Sequence, residues 1–151
     1  MRILIVQTSY LGDTILSTPV IAGVHRLHPA AQLWMMTTPA ATGLVERDPL
    51  LKGVIAFDKR KEATGLTGLV RMGLKLRKMG FDRVYALQRS YRTALTLLAS
   101  GIPHRTGFQN AKLSFIYHTV QSRRSSDHDV LRNLSILTDE APITEFDTRL
   151  R

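Results

Sequence analysis

The chain contains no cysteine. Disulfides, thiol nucleophiles, zinc–thiolate clusters and iron–sulfur sites are therefore excluded. Aromatic residues make up only 7% and there is a single tryptophan. In the stretch 59–105, where basic residues gather, Phe81, Tyr85 and Tyr91 are the only aromatics. A surface that stacks single-stranded RNA wants more aromatics among its cations, so nucleic acid is not the expected partner. No apolar run approaches the roughly 20 residues of a spanning helix. The apolar start lacks the cleavage pattern of a signal peptide, which leaves a cytoplasmic protein as the default. The phosphate loops G-x-x-x-x-G-K-[ST] and G-x-G-x-x-G are missing, as is G-x-S-x-G. A P-loop NTPase, a dinucleotide oxidoreductase and an α/β-hydrolase are thus disfavoured. The five histidines (His25, His28, His104, His118, His128) show no metal-ligand spacing, and no metal site is expected.

What is present suits one folded domain. The chain has 151 residues, 44% hydrophobic and 22% charged. Its net charge of +9 is confined to one third of its length. Between Lys59 and Arg105 there are eleven basic residues, opposed only by Glu62 and Asp82. Such a patch draws nucleic acid, acidic membrane surface or phosphorylated small molecules, or simply keeps the protein soluble.

Apolar β-branched runs alternate with helical periodicity. Residues Arg2 to Gln7 read as a strand buried on both faces. Helical spacing follows from Asp13 and stops before Pro29, and Pro19 within it, which costs one backbone bond, allows either a kink or a late start. Further strands are expected at Gln32 to Thr37, Val54 to Phe57, Arg83 to Leu87 and His104 to Gly107. Further helices are expected at Ala40 to Arg47, Leu66 to Met79, Ser90 to Ser100 (capped by Ser90) and Asp127 to Leu137. Leu113 to Val120 suits either a strand or a helix. Trp34 and Phe115 are expected in the core. The alternation predicts an α/β fold, a Rossmann-like doubly wound parallel sheet with helices on both faces. Residues 1–138 would form the domain and 139–151 the start of a linker.

Ligands of such sheets bind beyond the carboxyl ends of the strands. The loops that matter are therefore Thr8–Asp13, Asp58–Glu62, Gln88–Arg92 and Gly107–Asn110. Asp13, after Gly12 at the first strand-to-helix turn, has two readings: a general base or a helix cap. Asp58 ends the third strand as the phosphorylated Asp of a receiver domain does. The acidic pair after strand one and the Lys after strand five that receiver chemistry needs are missing. Arg71, Lys75 and Lys78 share one side of their helix, as either a solvated face or a contact for anionic lipid.

Several stretches combine into a recognisable pattern. Leu11-Gly12-Asp13 followed by Ser17-Thr18-Pro19 comes first. Next come Asp58-Lys59-Arg60, the segment Tyr85 to Thr93, Gly101 to Phe108, and the run His128 to Leu137. In this order they resemble the bacterial ADP-heptose:lipopolysaccharide heptosyltransferases of glycosyltransferase family 9, the heptosyltransferase II branch above all. The resemblance implies the N-terminal, acceptor-binding half of a GT-B enzyme, with the nucleotide-sugar domain absent and the isolated chain inactive. It implies an inverting, metal-independent transfer of heptose from ADP-heptose, with no further cofactor, onto the Kdo-bearing phosphorylated core of lipid A. It assigns Asp13 as general base and Gly12 to the donor. Ser9, Lys59, Arg60, Lys61, Gln88, Ser90 and Arg92 would bind the acceptor. It further implies a monomer at the cytoplasmic face of the membrane, in peripheral contact with it. Arg89 stands where the family often has Gly, and Gln7 where a basic residue is common. Two other readings remain: a family 9 transferase for another sugar, and a non-enzymatic basic α/β module that binds anions or nucleic acid.

Overall fold

A computed structural model describes residues 1–58, 65–121 and 129–151. Six strands form one all-parallel sheet: β1 (Arg2–Gln7), β2 (Gln32–Thr37), β3 (Leu51–Ala56), β4 (Arg83–Ala86), β5 (His104–Phe108) and β6 (Thr119–Gln121). Their order is β3-β2-β1-β4-β5-β6. The helices are α1 (Leu11–Leu27), α2 (Thr42–Val45), α3 (Leu66–Met79), α4 (Tyr91–Ser100) and α5 (Asp129–Leu134). The sheet is doubly wound as expected, and its strand order reverses between β1 and β4.

β1 shows why the sheet is buried on both sides. Ile3, Leu4, Ile5 and Val6 have no exposed surface. Strand periodicity sends Leu4 and Val6 to one face and Ile3 and Ile5 to the other. Leu4 and Val6 pack with Leu69, Met72 and Leu76 of α3 and with Ala94 and Leu97 of α4. Ile3 and Ile5 pack with Val20, Ile21 and Val24 of α1, Val45 of α2 and Leu134 of α5. The molecule is a three-layer sandwich with two cores.

Local chemistry accounts for the helix limits. α1 runs on through Pro19. The backbone bond that Pro19 cannot donate would have gone to the carbonyl of Ile15, and the Thr18 hydroxyl donates there instead at 2.8 Å. α3 and α4 end on Gly80 (φ 71°) and Gly101 (φ 63°), left-handed positions that glycine occupies without steric cost. α3 and α4 also approach closely. A Cβ on Gly73 would lie 2.5 Å from the Ala99 Cβ and 2.6 Å from the Thr96 carbonyl oxygen.

Two expectations about the core change. Phe115 is 81% exposed, because the segment after β5 turns as a short 3₁₀ unit, Ser114–Ile116, that buries Ile116 instead. Trp34 is only half-buried; it packs edge-on against Phe81 and covers Gly53. The ambiguous stretch resolves into that 3₁₀ turn followed by the edge strand β6. Residues 139–151, expected as a linker start, lie against the domain. Phe146 is buried beside Gly23 of α1. The Arg151 guanidinium donates to both carboxylate oxygens of Asp48, at 2.8 and 3.0 Å, and its backbone N–H donates to the Thr18 hydroxyl.

Candidate functional site

Where strand order reverses, the loops after β1 and β4 turn away from each other and open a crevice. Two adjoining clefts occupy it here, both lined in part by Ser9 and Gln88. One, of about 510 Å³, is lined by Gln7, Asp13, Arg89, Ser90, Asn110 and Lys112 among others. Its neighbour, of about 610 Å³, lies between Thr8–Leu11, Thr38–Ala40, Phe57, Asp58 and Arg92.

The β1–α1 turn is held from within. Gln7 is buried; its amide nitrogen donates to the Ser17 hydroxyl at 3.0 Å, and that hydroxyl donates to the Asp13 carbonyl at 2.6 Å. The Gln7 amide oxygen accepts from the Ser9 N–H at 3.4 Å. A basic residue at position 7 could not make both bonds, because it has no acceptor. Asp13 takes part in capping: its Oδ2 accepts from the Tyr10 N–H at 3.1 Å. A carboxylate has two oxygens and about four acceptor sites, so this bond orients the group and leaves Oδ1 for a ligand. The cap and the general base are thus compatible roles for one side chain. Gly12 follows the open end of α1, and a Cβ there would meet no atom within 4 Å. Its small size leaves room in front of the helix N-terminus.

The β4–α4 turn is built the same way. The Gln88 amide oxygen accepts from the Ser90 N–H at 2.6 Å and from the Thr93 hydroxyl at 3.0 Å. This fixes Gln88 by its oxygen and leaves its amide nitrogen to donate. Ser90 caps α4 as expected, accepting from the Thr93 N–H at 3.3 Å. The first N–H groups of α1 and of α4, with their partial positive charge, both open on the crevice. Arg92 lies over the ring of the exposed Tyr91, 5.5 Å from its centroid.

Of the residues expected here, the crevice brings together Ser9, Asp13, Gln88, Ser90 and Arg92. Gly12 adjoins Asp13 in the first turn of α1. Lys59, Arg60, Lys61 and His128 lie outside the described residues. The basic charge is divided between the crevice, α3 and the start of β4. Arg71, Lys75, Arg77 and Lys78 are exposed on α3, away from the cleft lining. Arg83 donates to Glu140 at 2.7 Å, in a cluster with His28 and Tyr85 at the start of β4. There burial and the neighbouring Glu140 carboxylate push the Tyr85 phenol far up, so it stays protonated and donates to Glu140 at 2.6 Å. Among the described residues the crevice cations are Arg89, Arg92 and Lys112.

Lys112, Asn133 and Thr38–Ala40 were not expected at the site. The loop after β2 reaches it because β2 lies beside β1, which strand order alone determines. Lys112 is placed by its backbone N–H, which donates to the Arg89 carbonyl at 2.9 Å, and by the left-handed turn at Leu113 (φ 56°). Asn133 ties α5 to α1 through a bond to the Leu16 carbonyl at 3.1 Å. The Thr8 hydroxyl is buried at the cleft edge with no partner among the described residues. Among those residues no group of three or more His, Asp or Glu is gathered to hold a metal.

Over 109 residues, 72% of this chain, the sequence is 29% identical to lipopolysaccharide heptosyltransferase 2 of Escherichia coli. It is 28% identical over the same length to the Salmonella typhimurium protein of that name. In sequence the chain is similar to these two heptosyltransferases. It spans 31% of the length of these relatives. No family model matches it. The fold agrees with solved structures. A glycosyl transferase family 9 protein from Veillonella parvula superimposes with a TM-score of 0.85 over 99% of this chain and 43% of its own, at 20% identity. The E. coli ADP-heptose lps heptosyltransferase II superimposes with a TM-score of 0.80 over the whole of this chain and 45% of its own, at 24% identity. At such identities the likeness speaks for the fold, and the sequence match carries the heptosyltransferase resemblance.

Proposed function

We propose that this chain is the acceptor-binding domain of an inverting, metal-independent heptosyltransferase of lipopolysaccharide synthesis. The carrying observation is the crevice at the β1/β4 reversal. There a half-buried carboxylate, Asp13, shares a cleft with Ser9, Gln88, Ser90 and the cations Arg89 and Lys112. A sugar hydroxyl needs a base to become a nucleophile, and a phosphorylated acceptor needs cations and N–H donors to hold it.

In this reading Asp13 Oδ1 takes the proton of the acceptor hydroxyl as its oxygen attacks the anomeric carbon of ADP-heptose. The bond from that carbon to ADP breaks on the opposite face, so the configuration inverts. Tyr10 N–H holds the carboxylate in place during this step. Ser9, Ser90 and the Gln88 amide position sugar hydroxyls. Arg92 pairs with acceptor phosphates and carboxylates, as do Lys59, Arg60 and Lys61, which lie outside the described residues. Gly12 lets the departing diphosphate approach the α1 N-terminus. The remaining donor contacts are not assigned to residues of this chain. In this reading the protein works as a monomer on the cytoplasmic side. Among the described residues no helix is long and apolar enough to cross a membrane.

A chimera tests the reading: residues 1–151 replace the matching part of E. coli lipopolysaccharide heptosyltransferase 2. Heptose transfer to Kdo-lipid A acceptors, followed by mass spectrometry, is expected from the chimera and absent from the 151-residue chain. A folded chimera that transfers some other nucleotide sugar, and not heptose, supports the other-sugar family 9 reading. Turnover by the chain alone contradicts the division of labour.

A further inference from the structure

α1 has a weak point at Pro19. A proline donates no backbone bond and its ring crowds the turn before it, so a helix is held less firmly there. The turns ahead of that point, Leu11–Thr18, carry Asp13. Among the described residues, three groups from outside the helix tie these turns down. The Gln7 amide of β1 donates to the Ser17 hydroxyl, and the Asn133 amide of α5 donates to the Leu16 carbonyl. The Arg151 N–H donates to the Thr18 hydroxyl at 3.1 Å. This last bond falls on the break itself, because the buried Thr18 hydroxyl is the group that donates to the Ile15 carbonyl in place of Pro19.

Arg151 is the far end of a strap. From residue 140 onward the chain runs antiparallel to α1 and touches it in order. Glu140 meets His28, the C-cap of α1, at 3.2 Å. Glu145 pairs with Arg26 at 3.4 Å. The Phe146 ring lies against Gly23, where a Cβ would come within 3.2 Å of it. Arg151 then reaches Thr18. The two ends are the firm anchors. Glu140 also accepts from Arg83 and Tyr85, and the Arg151 guanidinium is bidentate on Asp48, whose side chain is only 7% exposed. Such a pair fixes direction as well as distance, whereas the exposed Arg26–Glu145 pair between them contributes little.

We propose that the strap sets the position of Asp13 through the break at Pro19, which makes Thr18 and Arg151 positioning residues for the crevice carboxylate. With the clasp closed, the turns before Pro19 continue the axis of the turns after it, and Asp13 sits on the Tyr10 N–H. With the clasp open, Thr18 loses its N–H partner and the first turns tilt about Pro19. A tilt of about 10° over the roughly 9 Å from Pro19 to Asp13 moves the carboxylate by about 1.5 Å. A misplacement of about 1 Å at a reacting group costs up to about a hundredfold in rate. Asp13 would thus lose its place beside Ser9 and Gln88 although no residue of the crevice has changed. For its effect on transfer the inference rests on the proposed role of Asp13 as base; the mechanical coupling of strap to crevice does not.

The coupling is read on the isotope-labelled 151-residue chain by amide NMR and relaxation dispersion. The variants are Arg151→Ala, Thr18→Val and Thr18→Ser. Gly73→Ala, strained on the opposite face of the sheet, is the control for lost stability alone. Arg151→Ala and Thr18→Val should shift the amides of Tyr10 to Thr18 and broaden them by exchange on the microsecond-to-millisecond scale. Thr18→Ser keeps the hydroxyl and should resemble the parent, as should Gly73→Ala in this segment. In the chimera with E. coli lipopolysaccharide heptosyltransferase 2, Arg151→Ala should lower kcat about tenfold and leave KM within about twofold. If Thr18→Val does not fold, Arg151→Ala decides. Unchanged Tyr10–Thr18 amides in folded Arg151→Ala, changes confined to residues 139–151, or equal changes in Gly73→Ala would each overturn the coupling. Shifted amides with an unchanged kcat, in a chimera that Asp13→Asn inactivates, would overturn the positioning role. A chimera in which Asp13→Asn remains active refutes the base instead, and the amide result then still decides the coupling.

Discussion

Replacing Asp13 separates its two roles. Its Oδ2 accepts from the Tyr10 N–H at 3.1 Å, and Asn retains an acceptor there while losing the ability to take a proton. Tyr10 is 79% exposed, so the cap competes with water and is worth about 0.5–1 kcal/mol. Asp13→Asn should therefore cost under about 0.5 kcal/mol in stability, and Asp13→Ala about 0.5–1 kcal/mol. A general base contributes about 10²–10⁴ in rate, or roughly 3–5 kcal/mol of barrier. If Asp13 is the base, both variants of the chimera lose at least about a hundredfold in kcat, although they differ in stability. If it is only a cap, activity follows stability and Asp13→Asn stays near normal. Urea unfolding of the 151-residue chain and steady-state transfer by the chimera read the two quantities separately. A kcat within a few-fold of the parent in Asp13→Asn refutes the base.

Three further outcomes follow from the packing and the site. Gly73→Ala sets a methyl 2.5 Å from the Ala99 Cβ; the strain of about 1–3 kcal/mol exceeds the roughly 1 kcal/mol of helix propensity gained, so urea midpoints should fall. A rise would show that α3 and α4 can separate freely. Burial pushes the Asp48 carboxyl up, but hydrogen bonds from Arg151 and the Leu50 N–H hold it below its ordinary value. Its stabilising contribution is thus complete above the unfolded value of about 3.9 and disappears as pH falls through the lower folded one. Arg151→Ala should cost about 1 kcal/mol at neutral pH and progressively less in acid; a pH-independent difference in unfolding free energy would contradict the pairing. Thr8→Val removes a buried hydroxyl with no partner among the described residues. Stability should hold or rise by about 1 kcal/mol, while acceptor affinity falls several-fold by calorimetry; unchanged affinity would place Thr8 outside the site.

Much of the fold is legible because central elements bury both faces. β2 and α3 have the limits their spacing predicts, since Gly80 ends the helix and the apolar run defines the strand. Edge elements are less legible. β3 begins at Leu51, earlier than expected, because Lys52 and Gly53 look like loop residues and are tolerated on an edge with one side open. α1 begins two residues before Asp13, because the Asp13 side chain caps the helix from inside its first turn. At the site, Asp13, Gln88 and Ser90 are legible as loop residues after strands. Lys112 is not: it depends on a left-handed leucine, which no sequence pattern signals. The basic third was legible as charge and, for Arg71, Lys75 and Lys78, as one exposed side of α3. The structure divides it between a cleft and a helix face, a distinction that depends on which residues α3 buries.

The central claim is that the crevice at the β1/β4 reversal binds an anionic sugar acceptor. The most direct measurement is an amide NMR titration of the isotope-labelled 151-residue chain with a phosphorylated, Kdo-bearing inner-core oligosaccharide. Saturable shifts confined to Ser9–Asp13, Gln88–Arg92 and Asn110–Lys112, weakening with salt, are predicted. Shifts centred elsewhere, or none at saturating oligosaccharide, would contradict it.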